Sequence, residues 1–363
     1  MDIKDDSISV RVISDTKDIL QIQREWNTLV GTSCRNPFLL SEFVREFVES
    51  RPTDWTPLIL VVSNKHAIIG IAPLIFRKKF GIRSVKIPNW PWCSEFIIES
   101  QNREAIIATI FDYLFKTLEC KLADFTLPCD SPNFRPLINQ CKVRGIHIKT
   151  LPEMGRRIVH ITSTWAEFAA NQGKRFRNEM KRIERNLTNA YSWKTVCYDG
   201  NESPEAIKKI FAVERNSWKV SWRAQRNEST DEVLMTVLRV SPQLSKEPQF
   251  KWNIWSLELS DKTIAYCIVF EYFDVAFIIK TSFDEQFKRF CPGIILQNAI
   301  IHEQFNNGRI TSVDFTSDLP YQKTWTDECI PRTRILLAKG ILPTTMQFMF
   351  LNEITGKMLR TLS

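Results

Sequence analysis

The residues best placed to do chemistry lie between Ile278 and Phe305. An apolar run ending at Lys280-Thr281 leads into a loop, Phe283 to Cys291, that carries Lys288 and Arg289. Pro292-Gly293 then opens a second apolar run. Pro is well tolerated at the first position of a helix, where its missing N–H would have no partner anyway. Gly lets a ligand come close to the backbone. A helix start presents unpaired N–H groups and the positive end of the dipole. With two cations alongside, the segment Lys288-Arg289-Phe290-Cys291-Pro292-Gly293-Ile294 has the composition of a pyrophosphate cradle. An ordinary strand-to-helix turn with surface Lys and Arg is the plainer reading of the same residues.

Other side chains offer further chemistry. Asp314 sits in an apolar run, Ile310 to Thr316, beside that helix, as a general base, a substrate anchor or a structural cap. Glu271 ends a core strand. Tyr321 can protonate a leaving group or plug a gap. Glu214, Trp218 and Trp222 recur every four residues, and Trp218 has a core-like counterpart in Trp26. Trp90 and Trp92 can stack on a sugar ring or pack in the interior. Cys291 falls at a helix start, where a thiolate is favoured. A basic helix carries Lys174, Arg175, Arg177, Lys181, Arg182 and Arg185 around an apolar stripe of Phe176, Met180, Ile183 and Leu187. It reads as a solvated face or as a phosphate-contacting surface.

These residues need elements to position them, and the chain shows the same order of elements twice. Thr16–Val30 and Pro204–Trp218 pattern as amphipathic helices, and Pro37–Ser50 and Asp231–Val240 as second helices. Strands follow at Leu58–Ser63, Ala67–Arg77 and from Val85, and again at Trp252–Leu259, Thr263–Glu271 and Val275–Thr281. Helices at Arg103–Thr117 and Gly293–Phe305 then lead to strands carrying Asp124-Phe125-Thr126 and Asp314-Phe315-Thr316. The spacing predicts an internal duplication. In each copy a crossover helix sets up a parallel strand pair within an otherwise antiparallel sheet. The fold class is therefore α/β (α+β), with two domains, 1–157 and 158–363, each a mixed central sheet flanked by helices. The first copy's equivalent turn, Glu99 to Glu104, has neither Gly nor Pro and is acidic at both ends. Only the second copy suits an anionic ligand.

Composition narrows the function classes. The chain has 363 residues, is 44% hydrophobic and 25% charged, and carries a net charge of +8. That is a globular composition drawn to anionic partners. Its 11 glycines, where about 25 would be average, argue against glycine-rich nucleotide folds, and no GxxxxGK[ST], GxGxxG or GxSxG occurs. Nine scattered cysteines without a CxxC pair read as reduced, cytoplasmic thiols. Four histidines, none spaced i, i+4, leave no metal site to expect. The acidic start, Met1 to Asp6, does not read as a signal peptide, and no apolar run is long enough to span a bilayer. The apolar stretch Thr345–Leu362 reads as a docking tail.

Four stretches carry a family resemblance: Phe176 to Leu187, Phe290-Cys291-Pro292-Gly293 with Leu296, Asp314-Phe315, and Tyr321-Gln322-Lys323-Thr324-Trp325. In this order they resemble the Acetyltransferase 6 branch of the GNAT acyltransferases, relatives of the Fem-type aminoacyl transferases. The match runs from about Arg11 to Gly340. Cys291 stands where the family has Ser, and Gln322 separates Tyr321 from Lys323. On a strand that insertion turns Lys323 to the other face. The resemblance implies tandem GNAT-like domains, the second binding acyl-CoA, acetyl-CoA above all, and no metal. Its cofactor residues would be Lys280, Thr281 and Lys288 to Ile294. Asp314, Tyr321, Lys323 and Glu271 would be catalytic, and Arg177, Glu214, Trp218 and Trp222 would face the substrate. The implied activity is transfer of an acyl group to the amine of a small molecule, amino sugar or amino-acid derivative, by a cytoplasmic enzyme, with a homodimer as the candidate assembly. The alternatives are a Fem-like transferase using charged tRNA and a non-enzymatic binding protein.

Overall fold

The computed structural model describes residues 8–50, 53–65, 67–88, 95–225, 231–260 and 262–340. Trp90, Trp92, the stretch from Thr345 to Leu362 and the side chain of Trp222 lie outside the described residues. In chain order the main elements are β1 (Ile8–Ile13), α1 (Gln23–Ser33), α2 (Ser41–Glu49), β2 (Thr56–Asn64), β3 (Ala67–Lys79), β4 (Ile82–Lys86), β5 (Ile97–Ile98), α3 (Arg103–Asp112), β6 (Leu122–Pro128), α4 (Phe134–Val143) and β7 (His147–His160). There follow α5 (Trp165–Asn171), α6 (Gly173–Thr188), β8 (Trp193–Asp199), α7 (Pro204–Arg215), α8 (Lys219–Gln225), α9 (Glu232–Leu244), β9 (Phe250–Leu259), β10 (Lys262–Tyr272), β11 (Val275–Phe283), α10 (Pro292–Asn306), β12 (Ser312–Asp314) and β13 (Cys329–Ala338).

The chain forms two compact units. One holds the residues up to Gly155 together with those from Ile330. The other runs from Arg156 to Cys329. The second unit thus ends near residue 329 rather than at 363, because β13 pairs antiparallel with β6 of the first unit. No local pattern in β13 announces that pairing.

Each unit is built to one plan. In the first, β1, β2, β3 and β4 form an antiparallel meander. The α3 crossover then places β6 parallel to β4, and β13 closes the far side antiparallel. In the second, β8 to β11 form the meander, α10 places β12 parallel to β11, and the end of β7 closes antiparallel on β12. Apolar side chains on one face of each sheet meet the crossover helix. Leu60, Val62 and Phe125 meet Ile106 and Ile110 in the first unit, and Leu257, Cys267 and Val269 meet Leu296 and Ile300 in the second. Gly70 allows α3 to approach β3, since a Cβ there would lie 2.5 Å from Ile106 Cγ2. On α6 the stripe Phe176, Met180, Ile183 and Leu187 is buried, and Lys174, Arg175, Lys181, Arg182 and Arg185 are exposed.

Candidate functional site

The site begins where β11 and β12 part. They pair over only three positions, Val275–Phe277 against Ser312–Asp314. Thr316 ends the contact. It adopts a left-handed conformation, φ 56°, which is costly for a β-branched residue. Its hydroxyl donates to the Ile278 carbonyl at 2.8 Å. Beyond Ile278, β11 continues to Phe283 with β10 alone beside it, so the main-chain edge from Ile279 to Thr281 is open on the β12 side. A β-bulge at Ile279 shifts the register, so that Ile268 faces Lys280. The extra residue turns Lys280 toward the helix face that carries α7.

The strand then enters the turn singled out in the sequence. Asp284 caps a short 3₁₀ turn, Glu285–Phe290, by accepting from Gln286 N at 3.0 Å. Cys291 is left-handed, φ 52°, and α10 starts at Pro292 without a side-chain cap. Lys288 and Arg289 are exposed. Lys288 pairs with Glu285 at 2.9 Å, and the Arg289 guanidinium lies 4.7 Å over the Phe290 ring. A Cβ on Gly293 would meet only Phe283, at 3.7 Å, so the backbone there is approachable. The basic helix α6 packs against this turn. An open strand edge, an uncapped helix start and several cations suit the pyrophosphate and amide arm of a CoA ester. Among the described residues no cluster of His, Cys, Asp or Glu is arranged to hold a metal.

On the other face of the same strand end lies a buried charge network that the sequence reading reached only through Glu214 and Lys280. Glu214 on α7 accepts from Tyr266 Oη at 2.6 Å and from Arg223 at 2.8 Å. Lys219 donates to the Thr281 carbonyl at 2.7 Å and lies 3.6 Å from Glu214. Asp231 caps α9 by accepting from Leu234 N, and it pairs with Lys280 and with Arg223. Burial pushes the Glu214 carboxyl up, but Lys219, Arg223, Tyr266 and Lys280 outweigh it and hold the group below the ordinary carboxylate range. Burial, reinforced by Lys280, pushes the Lys219 ammonium down to about 8. Burial, then Glu214, raises the Tyr266 phenol well above its ordinary value. The break between α7 and α8 brings Lys219 and Arg223 back over Glu214. It also leaves Trp218 48% exposed, unlike its counterpart Trp26, which is fully buried.

The other expected residues divide. Tyr321 comes close to the turn: its hydroxyl accepts from Gln297 of α10 at 3.3 Å, and burial raises its pKa. Residues 320–324 form a 3₁₀ turn rather than a strand. Lys323 is exposed there, while Gln322 is buried and ties the loop together by bonds to Leu319 N and Ser317 Oγ. Asp314 is 1% exposed, paired with Arg156 and bonded to Thr316 N at 2.7 Å. Its carboxylate clamps β12 to β7 and shapes the turn at Thr316. Arg177 donates to the carbonyls of Ala169 and Ala170, closing the end of α5. Glu271 stands opposite Ala276, five residues before Thr281, hence ~16 Å away along the strand. It pairs with Arg309 and Asn253 in a separate polar pocket, and the structure does not bring it to the turn.

The model of the acetyltransferase (GNAT) domain family matches residues 174–323. The chain carries a GNAT domain. The matched segment lies within the second unit and contains the strand parting, the turn, α10 and the charge network. No curated protein sequence matches the chain. Among solved structures, the C-terminal domain ascribed to a lysylphosphatidylglycerol synthetase from Agrobacterium fabrum is similar, at 11% identity and a TM-score of 0.57, covering 93% of this chain and 95% of that one. FemX is similar at 11% identity and a TM-score of 0.57, with 90% and 96% covered. The L-PGS structure from Bacillus licheniformis follows at 10% identity and 0.52, with 92% and 95% covered. At these identities the likeness is one of fold, and it extends over both units. The matched family is one of acetyltransferases, and among the described residues no helix is long and apolar enough to cross a membrane.

Proposed function

We propose that the protein is an acyl-CoA-dependent N-acyltransferase, with acetyl-CoA as the first candidate donor and the amine of a small molecule, amino sugar or amino-acid derivative as acceptor. One observation carries the reading: β11 leaves β12 after three residue pairs and runs with an open edge directly into the uncapped start of α10. The donor would supply an activated thioester. The chain's own groups define the rest. Main-chain atoms of Ile279 to Thr281 bind and orient the amide arm. Lys288, Arg289 and the backbone from Phe290 to Ile294 receive the pyrophosphate.

The acceptor approaches from the α7–α8 side, past Trp218 and the network around Glu214. It must arrive as a free amine, and the acyl group moves by its direct attack. Lys219, with its lowered pKa, donates to the Thr281 carbonyl at the end of the open edge. Tyr321, bonded to Gln297 of α10, returns a proton to the leaving thiolate. Asp314 acts through position, by holding Arg156 and Thr316, and Lys323 and Arg177 lie outside the reacting centre. The free thiols of the described residues suit a cytoplasmic enzyme.

Calorimetry with acetyl-CoA tests the reading. Micromolar binding, about 8 kcal/mol, that Gly293→Trp abolishes is the expected result. No heat with any acyl-CoA overturns it. A second reading, transfer from a charged tRNA, is favoured by one observation, the exposed basic face of α6 beside the turn. It predicts RNA binding that falls steeply with salt. Binding of neither ligand would leave a non-enzymatic protein on this fold.

A further inference from the structure

The hairpin joining β3 and β4 carries a feature that acyl transfer does not use. The pairing of β3 with β2 ends at Phe76, and that of β4 with β6 begins at Ser84. Residues 78–82 therefore overhang the sheet at the end of a two-stranded ribbon, beyond the pairing with β2 and β6. At the tip, Phe80 and Gly81 both have positive φ, 50° and 77°. A two-residue turn with both central φ values positive calls for Asn-Gly or Gly-Gly, and a bulky aromatic in the first place is strained. Packing does not compensate, since Phe80 is 92% exposed.

Around the ring the hairpin is basic. Lys78 and Lys79 are exposed, while Arg77 and Arg83 stand just behind, paired with Asp54 and Glu119. We propose that the tip of this hairpin inserts Phe80 into the interfacial layer of an anionic lipid surface, with Lys78 and Lys79 on the headgroups. A single apolar wedge plus a basic flank supplies the two weak signals that reversible membrane docking needs. A protein partner is the poorer fit, because binding hot spots sit among apolar neighbours that exclude water, and here the neighbours are Lys79, Gly81 and half-buried Ile82. Base stacking is the poorer fit because the Lys79 ammonium lies over the ring, 5.5 Å from its centre.

The proposal is independent of the acyl-transfer reading and is tested on the full chain. The probe is flotation with vesicles of phosphatidylglycerol and phosphatidylcholine, against phosphatidylcholine alone. Phe80→Asn is the informative variant, since Asn suits the left-handed position and the fold should melt at the same temperature or higher. Expected are binding of the wild type to the anionic vesicles only, weakening in high salt, and a roughly tenfold to hundredfold loss of partitioning in Phe80→Asn. Lys78→Glu with Lys79→Glu should lose at least about tenfold. Three results would each overturn the proposal: no wild-type binding to anionic vesicles, unchanged binding by Phe80→Asn, or Phe80-dependent binding to single-stranded RNA or to a second copy of the chain in place of the lipid.

Discussion

The two units carry the same clamp in the same register. In the second, Asp314 lies opposite Ile158 of β7, and Arg156, two residues earlier, holds its carboxylate. In the first, Asp124 lies opposite Leu336 of β13, and Arg334, again two residues earlier, holds it at 2.6–2.8 Å. Both parallel pairs, β4 with β6 and β11 with β12, span three positions and end at that Asp. Both crossover helices follow a left-handed residue, Asn102 or Cys291.

The units differ in what lies around this shared frame. β6 runs on through Thr126 to Pro128, whereas β12 stops and the chain turns at left-handed Thr316. β11 crosses its irregularity with the single residue Ile279. Its counterpart β4 ends at Lys86, and the next described strand, β5, is Ile97–Ile98. On the helix face, Glu42 is bonded to neutral Gln23, Asn27 and Ser41, where Glu214 meets Lys219, Arg223 and Tyr266. A feature present in both copies is frame, and a feature present in one is a candidate for function. By that criterion Asp314 belongs to the frame, and Thr316, the bulge and the Lys219 network are the candidates for function.

The contrast can be broken most forcefully at the two helix starts. Gly293→Trp should abolish acyl-CoA binding, at least a hundredfold loss by calorimetry (about 3 kcal/mol), while Asn102→Trp leaves it intact. Equal losses from both would remove the asymmetry. Next come the two tryptophans. Trp26→Ala should cost about 3–5 kcal/mol in urea denaturation. Trp218→Ala should stay within about 0.5 kcal/mol and instead raise the acceptor KM. The two clamps follow. Asp314→Asn should cost about 3 kcal/mol, and Asp124→Asn about 1–2 kcal/mol, since Asp124 is the more exposed. A folded Asp314→Asn protein that has lost all turnover would instead make that carboxylate the base.

The smallest effect is one of pH. Lys219 in the folded chain has its pKa lowered to about 8. Between there and its ordinary value near 10.5 the unfolded chain binds more protons, so stability rises with pH across that window. Below it both states are protonated and the contribution sits at its minimum. Lys219→Met should flatten the rise in denaturation midpoints measured from pH 7 to 10, and an unchanged slope would assign it elsewhere.

Much of this arrangement was legible in the sequence where the signal is local. Pro292-Gly293 after Lys288-Arg289 marked the turn, and the repeated Asp-Phe-Thr strands marked the duplication. The mixed sheets followed from the crossover helices. The network was not legible, because it depends on non-local geometry. Lys219 and Arg223 reach Glu214 only through the α7–α8 break, and Lys280 turns toward Asp231 only because of the bulge. Glu271 looked catalytic by type, but its position along β10 sets it beside Arg309. Alternation along a strand would turn Lys323 to the far face, but the buried amide of Gln322 folds that stretch into a turn. Trp218 and Trp26 match in sequence and differ in burial because one lies inside a helix and the other at a break.

The late strand β13 has a consequence for how the protein is made. β6 leaves the ribosome early, yet the strand that covers its outer edge is translated roughly two hundred residues later, some 10–40 s at ordinary elongation rates. During that interval the first unit has an open edge of the kind that recruits other chains. The second unit, whose closing strand β7 precedes it, can complete its sheet as soon as β12 emerges. The unit that begins the chain is thus the last to have all of its strands available for pairing.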